Sequence, residues 1–302
     1  MKLVTFVNEG LPVVGVLVGN SVIAVAASAE RVGAAVDLSS MLAVINGGEE
    51  ACKVIKQIET QPQLFPATTY ALKNVTLLAP IPKLSRNAFC VGRNYADHVK
   101  EGFDAQNKEV SMPAAPQFFT KATNAINSPT GDIKVREQVT HWLDYEVELA
   151  VIIGKGGCDI AKENAFDHVF GYTVANDVTA RDLQKRHEQW FKGKSLDTTL
   201  PLGPCIVTRD AIKDVDALEL TSHVNGERRQ HGQVSQMMFD IPAIVASLSS
   251  GMTLEPGDVI CTGTPAGVGF AMKPPQKLKN GDVVTATITH IGELRNRIVI
   301  QE

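Results

Sequence analysis

Glu146 and Glu148 stand two residues apart in the run Asp144-Tyr145-Glu146-Val147-Glu148-Leu149. Tyr145, Val147, Leu149 and Val151 alternate with Asp144, Glu146, Glu148 and Ala150, the period of a half-buried strand. Residues i and i+2 of a strand share a face, so the two carboxylates project side by side. Such a pair repels unless a proton, a cationic side chain or a metal ion relieves it. A hard divalent cation such as Mg²⁺ takes several oxygen ligands. Asp177 ends a second apolar run, Gly171-Tyr172-Thr173-Val174-Ala175-Asn176, where it is placed to be a third ligand. On spacing alone, a solvated edge-strand face is the better explanation of the two glutamates, and a helix N-cap explains Asp177 equally well.

The run Gly92-Arg93-Asn94-Tyr95-Ala96-Asp97-His98-Val99-Lys100-Glu101 offers different chemistry. If a short helix starts near Asp97, His98 and Glu101 fall at i and i+3 on one face. A carboxylate beside an imidazole fixes its tautomer and raises its basicity, as a general base requires. A surface ion pair would use the same spacing. Gly102 and the polar run Asp104-Ala105-Gln106-Asn107-Lys108 follow, the composition of a segment able to close over a ligand.

Strands must hold the carboxylates, and the chain supplies them. Lys2–Val7, Pro12–Val18 and Ser21–Ala26 read as strands around turns. Ala51, Val54, Ile55 and Ile58 recur at helical spacing. Pro62, Pro66 and Pro80-Ile81-Pro82 then punctuate the chain, which divides it into a small N-terminal α+β domain, 1–75, and a larger domain, 80–302. In the larger part, Val224-Asn225-Gly226-Glu227 signals a hairpin. Ile241, Ile244, Val245 and Leu248 form a helix stripe with Pro242 in its first turn, and strands at Val283–Thr289 and Arg297–Ile300 close the fold.

Composition bounds the class. Of 302 residues, 44% are hydrophobic and 21% charged, the balance of a globular protein. Lys+Arg is 29 and Asp+Glu 33, a net charge of −4, which argues against a nucleic-acid or anionic-membrane partner. The 5 cysteines are scattered with no Cys-x-x-Cys pair, so a reducing, cytoplasmic setting is expected. Residues 10–29 carry no charge, but Pro12, Gly19, Asn20 and Ser21 break the run, which fits a β-hairpin better than a signal or membrane segment. Gly193-Lys194-Ser195 lacks the upstream glycine of a phosphate-binding loop, because residue 188 is Glu. Gly263-Thr264-Pro265-Ala266-Gly267-Val268-Gly269 lacks the order of a dinucleotide fingerprint.

Taken in order, six features make a pattern: Gly92-Arg93-Asn94-Tyr95 with His98 and Glu101; Tyr145-Glu146-Val147-Glu148-Leu149; Asn176-Asp177-Val178-Thr179-Ala180-Arg181-Asp182 with Gly193-Lys194-Ser195; Pro201-Leu202-Gly203-Pro204; Val224-Asn225-Gly226-Glu227; and Glu255-Pro256-Gly257-Asp258-Val259-Ile260-Cys261-Thr262-Gly263-Thr264-Pro265. From about residue 85 onward this resembles the fumarylacetoacetate hydrolase family. The resemblance implies a β-rich α+β fold, with a mixed β-sandwich roll as the catalytic domain behind a small N-terminal α+β domain, and a homodimer. It implies Glu146, Glu148 and Asp177 as ligands of Mg²⁺, with Mn²⁺ or Ca²⁺ as substitutes. It implies His98 and Glu101 as a catalytic pair on a lid-like helix, Lys194 as a catalytic lysine, and Arg181, Gln184, Lys194 and Thr264 as substrate contacts. Leu196 and Leu200 depart from the family pattern and are expected to line the pocket.

The resemblance further implies a small 2-oxo carboxylate substrate, with a metal-dependent hydrolase cleaving a C–C bond in acylpyruvate-type 2-oxo acids as the first expectation. Metal and Lys194 would stabilise the departing enolate while His98 activates water. The same site would support an oxaloacetate-type decarboxylase or a 2-hydroxyhepta-2,4-diene-1,7-dioate isomerase. A catalytically silent dicarboxylate binder is the non-enzyme alternative, and the complete dyad, lysine and carboxylates argue against it.

Overall fold

A computed structural model of the chain describes residues 1–302. The first apolar alternation becomes three antiparallel strands, Lys2–Asn8, Leu11–Val18 and Ser21–Ala24. The third strand ends two residues before its expected limit, because Val25 opens a helix, Val25–Arg31. Ala26, Ala27 and Ala29 favour helix there. The uncharged stretch 10–29 is thus a hairpin and a helix, and no helix is long and apolar enough to cross a membrane. A longer helix, Gly48–Thr60, buries Ala51, Ile55 and Ile58.

The main sheet runs in the order Thr69–Ala71, Ser21–Ala24, Leu11–Val18, Lys2–Asn8, Leu200–Thr208, Val169–Asn176, Val147–Ile153, Val259–Cys261, Ala88–Gly92, Gln117–Lys121. The N-terminal strands therefore join the rest through Lys2–Asn8 against Leu200–Thr208, with Lys2 opposite Val207. A second sheet runs Glu227–Gln233, Glu219–Val224, Val283–Ile288, Gly292–Gln301, Ile133–Arg136. Its hairpin turns at Asn225 and Gly226, both at positive φ (52° and 84°), as the tight turn requires. Asp240 caps the helix Ile241–Ser249 by accepting the Ala243 N–H at 2.7 Å.

The sheets face each other through one core, where Leu149, Tyr172 and Val174 meet Leu220, Ala286 and Leu294. On the other face of the main sheet, Ala150, Ile152 and Ile206 share a core with Leu3, Ile55 and Ile58. This is the β-rich, mixed-sandwich α+β architecture expected. It also corrects one expectation: Val147–Ile153 is buried at every position, not half-buried. A strand covered on both faces carries apolar residues on both, and Glu148 breaks that run for another reason.

Pairing directions bring the chemistry to one end of the main sheet. Val259–Cys261 runs parallel to Ala88–Gly92, so Thr262-Gly263-Thr264 and Gly92-Arg93-Asn94 leave at the same end. Val147–Ile153 is antiparallel to Val259–Cys261 and enters from that end. Val169–Asn176 is antiparallel to Val147–Ile153, with Val147 opposite Asn176, so it delivers Asp177 there too.

Candidate active site

Glu146, Glu148 and Asp177 converge, with one carboxylate oxygen from each lying within 4.8 Å of the others. The strand ladder causes this. With Val147 opposite Asn176, the Asp177 N–H donates to the Glu146 carbonyl at 2.8 Å, and the Asn176 side-chain oxygen accepts the Glu146 N–H at 3.1 Å. All three carboxylates are buried. An edge strand and a helix N-cap are both excluded, since the strand is central and Asp177 makes no cap.

Cations surround two of the three. Lys194 Nζ donates to Glu146 Oε2 at 2.6 Å and to Asp177 Oδ2 at 2.7 Å. Arg181 lies 2.7 Å from Glu146 Oε1 and 2.9 Å from Asp144 Oδ2. Burial alone would raise the Glu146 carboxyl, but Lys194 and Arg181 outweigh it and hold it at about 2. Burial likewise opposes the Lys194 charge, and Asp177 and Glu146 hold the ammonium protonated. Glu148 has only one partner, the Gly263 N–H at 2.8 Å. Burial first, then the Asp177 charge, pushes its carboxyl well above the usual range. A buried trio of oxygen donors with one member lacking a counter-ion fits a hard divalent cation.

Lys194 reaches the trio because Gly193 lets its short helix, Phe191–Lys194, press on the neighbouring turn. A Cβ on Gly193 would sit 2.7 Å from Gln184 Cα and 2.8 Å from the Ala180 carbonyl.

The helix expected to carry the dyad forms as Ala96–Ala105. His98 Nδ1 lies 2.8 Å from Glu101 Oε1. Glu101 Oε2 also accepts the Gly267 N–H at 2.8 Å, which ties the helix to the Gly263–Gly269 loop. With Nδ1 held by a carboxylate, Nε2 is the nitrogen left for a ligand.

A cavity of about 590 Å³ joins these parts, within the roughly 300–1,000 Å³ usual for small-molecule sites. His98, Glu146, Glu148, Arg181, Gln184, Lys194 and Thr264 line it, with Asp177 beneath and Glu101 behind His98. The expected substrate contacts differ in what they have free. The Gln184 oxygen accepts from Arg181 Nη1 at 3.2 Å, which leaves its N–H donors for a ligand. The Thr264 hydroxyl donates to the Val147 carbonyl at 2.9 Å and accepts from Gln230 Nε2 at 2.7 Å, so it is already committed. Arg181 spends its charge on Asp144 and Glu146. Leu196 and Leu200 do not line the cavity: Leu196 packs on the second sheet's core, and Leu200 is buried opposite Ile126.

Three residues join the site that spacing alone does not mark. Asp144 anchors Arg181 and accepts the Gly269 and Phe270 N–H groups at 2.8 and 3.1 Å. Lys121, fully buried, donates to Asp177 Oδ1 at 2.7 Å and to the Val178 carbonyl at 2.9 Å. A lone lysine after Phe118-Phe119-Thr120 is its only sequence signal. Arg93 lines the cavity as well. Lys121→Met keeps the stem and removes the charge from a fully buried pair, so it should cost about 3–5 kcal/mol of stability. Denaturant titration of the metal-free protein measures that loss, and an unchanged midpoint would mean the pair contributes nothing.

A family model described as the C-terminal domain of fumarylacetoacetate (FAA) hydrolase matches residues 87–299. Over 229 residues, 76% of this chain and 75% of the relative, the chain is 52% identical to the oxaloacetate tautomerase YisK of Bacillus subtilis (strain 168). Among solved structures, a fumarylacetoacetate hydrolase from psychrophilic Exiguobacterium antarcticum is 42% identical with a TM-score of 0.81, covering 100% of both chains. A maleylpyruvate hydrolase from Sphingobium sp. SYK-6, in complex with manganese(II) ion and pyruvate, is 28% identical with a TM-score of 0.78, again covering 100% of both.

Proposed function

The chain belongs to the fumarylacetoacetate hydrolase family, and from that premise we propose that it moves a proton between the enol and keto forms of a small 2-oxo dicarboxylate of the oxaloacetate type. The observation that carries this reading is the dyad: His98, oriented by Glu101, lines the same cavity as the carboxylate trio. In the reaction one proton leaves the enol hydroxyl, one arrives at C3, and no carbon–carbon bond breaks. His98 Nε2 handles the C3 proton. Glu101 holds the imidazole in the tautomer that makes Nε2 the base and stabilises it once protonated. Gln184 donates to a substrate oxygen, and Lys194 and Arg181 keep Glu146 ionised. A divalent cation, Mg²⁺ or Mn²⁺, held by Glu146, Glu148 and Asp177 would polarise the keto oxygen and favour the enolate. The name of the relative at 52% identity supports proton transfer.

Hydrolysis of an acylpyruvate-type C–C bond is the second reading, supported by the names of the two solved relatives. It asks His98 to take a proton from water rather than to serve C3. The test follows enol-oxaloacetate by its ultraviolet absorbance, and pyruvate release from acylpyruvates, each with Mg²⁺ and with EDTA. Metal-dependent ketonisation well above the buffer rate, with slow pyruvate release, supports the tautomerase. The opposite ranking establishes the hydrolase, and activity that survives EDTA overturns the metal's part in either.

A further inference from the structure

Arg93 is the half-buried cation in the cavity that the protein leaves unspent. It lines the cavity, its side chain makes no ion pair or hydrogen bond with the rest of the chain, and its nitrogens are open to solvent. The other inner cations are neutralised: Arg181 by Asp144 and Glu146, Lys194 by Glu146 and Asp177. Lys185 also lacks a carboxylate but is exposed at the rim.

The chain takes trouble to aim this side chain. The Arg93 guanidinium lies 5.1 Å from the Phe103 ring of the lid helix and 5.7 Å from the Trp190 ring. Aromatic contacts of this kind use the guanidinium face, whereas its five N–H donors radiate in the plane. The two rings therefore hold the group while offering no hydrogen-bond acceptor, and its donors stay open. Arg93 also sits at φ +56°, a region that residues other than Gly, Asn and Asp rarely occupy and that clusters at functional sites. Asn94 holds the backbone there. Its amide donates to the Thr262 and Phe239 carbonyls at 2.8 and 3.0 Å, and its side-chain oxygen accepts the Phe239 N–H at 2.8 Å. Gly92 completes the arrangement, because the Trp190 ring fills the space a Cβ would need.

An unpaired guanidinium in a cavity recognises a planar anion, and a carboxylate matches its fork. A 2-oxo monocarboxylate has its one carboxylate next to the keto group that the carboxylate trio serves, and nothing left for a second cation. We propose that Arg93 binds the distal carboxylate of the substrate and so selects 2-oxo dicarboxylates over 2-oxo monocarboxylates. This rests on the proton-transfer reading for its substrate, but the recognition itself can be tested apart from it.

Oxaloacetate and 2-oxobutanoate share a four-carbon skeleton and differ in that distal carboxylate. In the metal-loaded enzyme, exchange of C3 hydrogen for deuterium is followed by NMR for both. Arg93→Gln should lower kcat/KM for oxaloacetate by about 10- to 100-fold, mostly through KM, and leave 2-oxobutanoate within about twofold. Arg93→Lys should restore part of the loss. If both substrates fall together, Arg93 only positions the lid, and if neither falls it has no role; either result overturns the proposal. Should the wild type exchange neither substrate, the proton-transfer reading fails, and calorimetry decides Arg93 separately. Malate should then bind the metal-loaded protein more tightly than 2-hydroxybutanoate, with the preference lost in Arg93→Gln. Equal affinities in the wild type overturn the assignment.

Discussion

His98→Ala is expected to lower turnover by about 10²–10⁴-fold, the usual worth of a general base, while divalent-metal affinity and the unfolding midpoint stay close to wild type. His98 touches none of the three carboxylates and bonds only Glu101, so its loss removes proton transfer and leaves the trio as built. Glu101→Gln sharpens the test. Its amide oxygen can still accept the Gly267 N–H that Glu101 now accepts at 2.8 Å, but its nitrogen then faces His98 Nδ1 as a donor. That forces the imidazole proton onto Nε2, the nitrogen that must act as base. The variant should therefore approach His98→Ala in rate while the lid helix remains anchored. Steady-state kinetics beside a Mn²⁺ titration separate the outcomes. Near wild-type turnover in His98→Ala would reduce the dyad to a surface ion pair, and lost metal binding would make His98 a ligand.

Glu148→Gln should abolish specific divalent binding, and with it metal-dependent activity, without harming the fold. Asp177 is the less informative position. Both its oxygens hold buried lysines, Lys121 and Lys194, so Asp177→Asn would strand two charges and destabilise the protein for reasons unrelated to metal. Glu148 has no cationic partner and accepts only the Gly263 N–H. Replacing it with a neutral isostere removes a buried carboxylate that nothing offsets, so the metal-free variant should be at least as stable as wild type. A metal at 100 times its Kd should stabilise the wild type by about 2.7 kcal/mol and the variant by almost nothing. Equal metal-induced shifts in melting temperature would remove Glu148 from the ligand set.

Spacing puts Glu146 and Glu148 on one face, because a two-residue strand repeat maps directly onto it, and Asp177 ends the paired strand, but reading the three as one set takes the resemblance across the six motifs rather than the spacing. The dyad stands likewise: a three-residue step on a helix is a local property, and a surface ion pair shares it. Burial of the strand is harder to read. Glu146 and Glu148 imitate the polar half of an alternating pattern, whereas both faces of Val147–Ile153 are covered. Which cations are free is not a local property at all. Arg181 and Arg93 look alike as residues in motifs, and only the placement of Asp144 and Glu146 shows that the first is neutralised and the second is not. Lys121 is hidden for the same reason, its partner Asp177 lying 56 positions along the chain. Leu196 and Leu200 are near neighbours of Lys194 in sequence yet sit in cores away from the cavity, because the chain turns between the short helix and the strand Leu200–Thr208.

The pairing of Lys2–Asn8 with Leu200–Thr208 sets a timetable for synthesis. The N-terminal hairpin can close as soon as it leaves the ribosome, and Thr76–Leu78 soon covers Thr5–Val7 on the far side of its first strand, yet Lys2 and Leu3 have no neighbour there until a segment about 200 residues later arrives. At about 5–20 residues per second this is a wait of roughly 10–40 s. During it, the Lys2–Leu3 end of the ladder edge is open to pairing with other nascent chains. Slower translation lengthens that exposure, so the yield of soluble protein should depend on elongation rate between these strands more than on the stability of the finished fold.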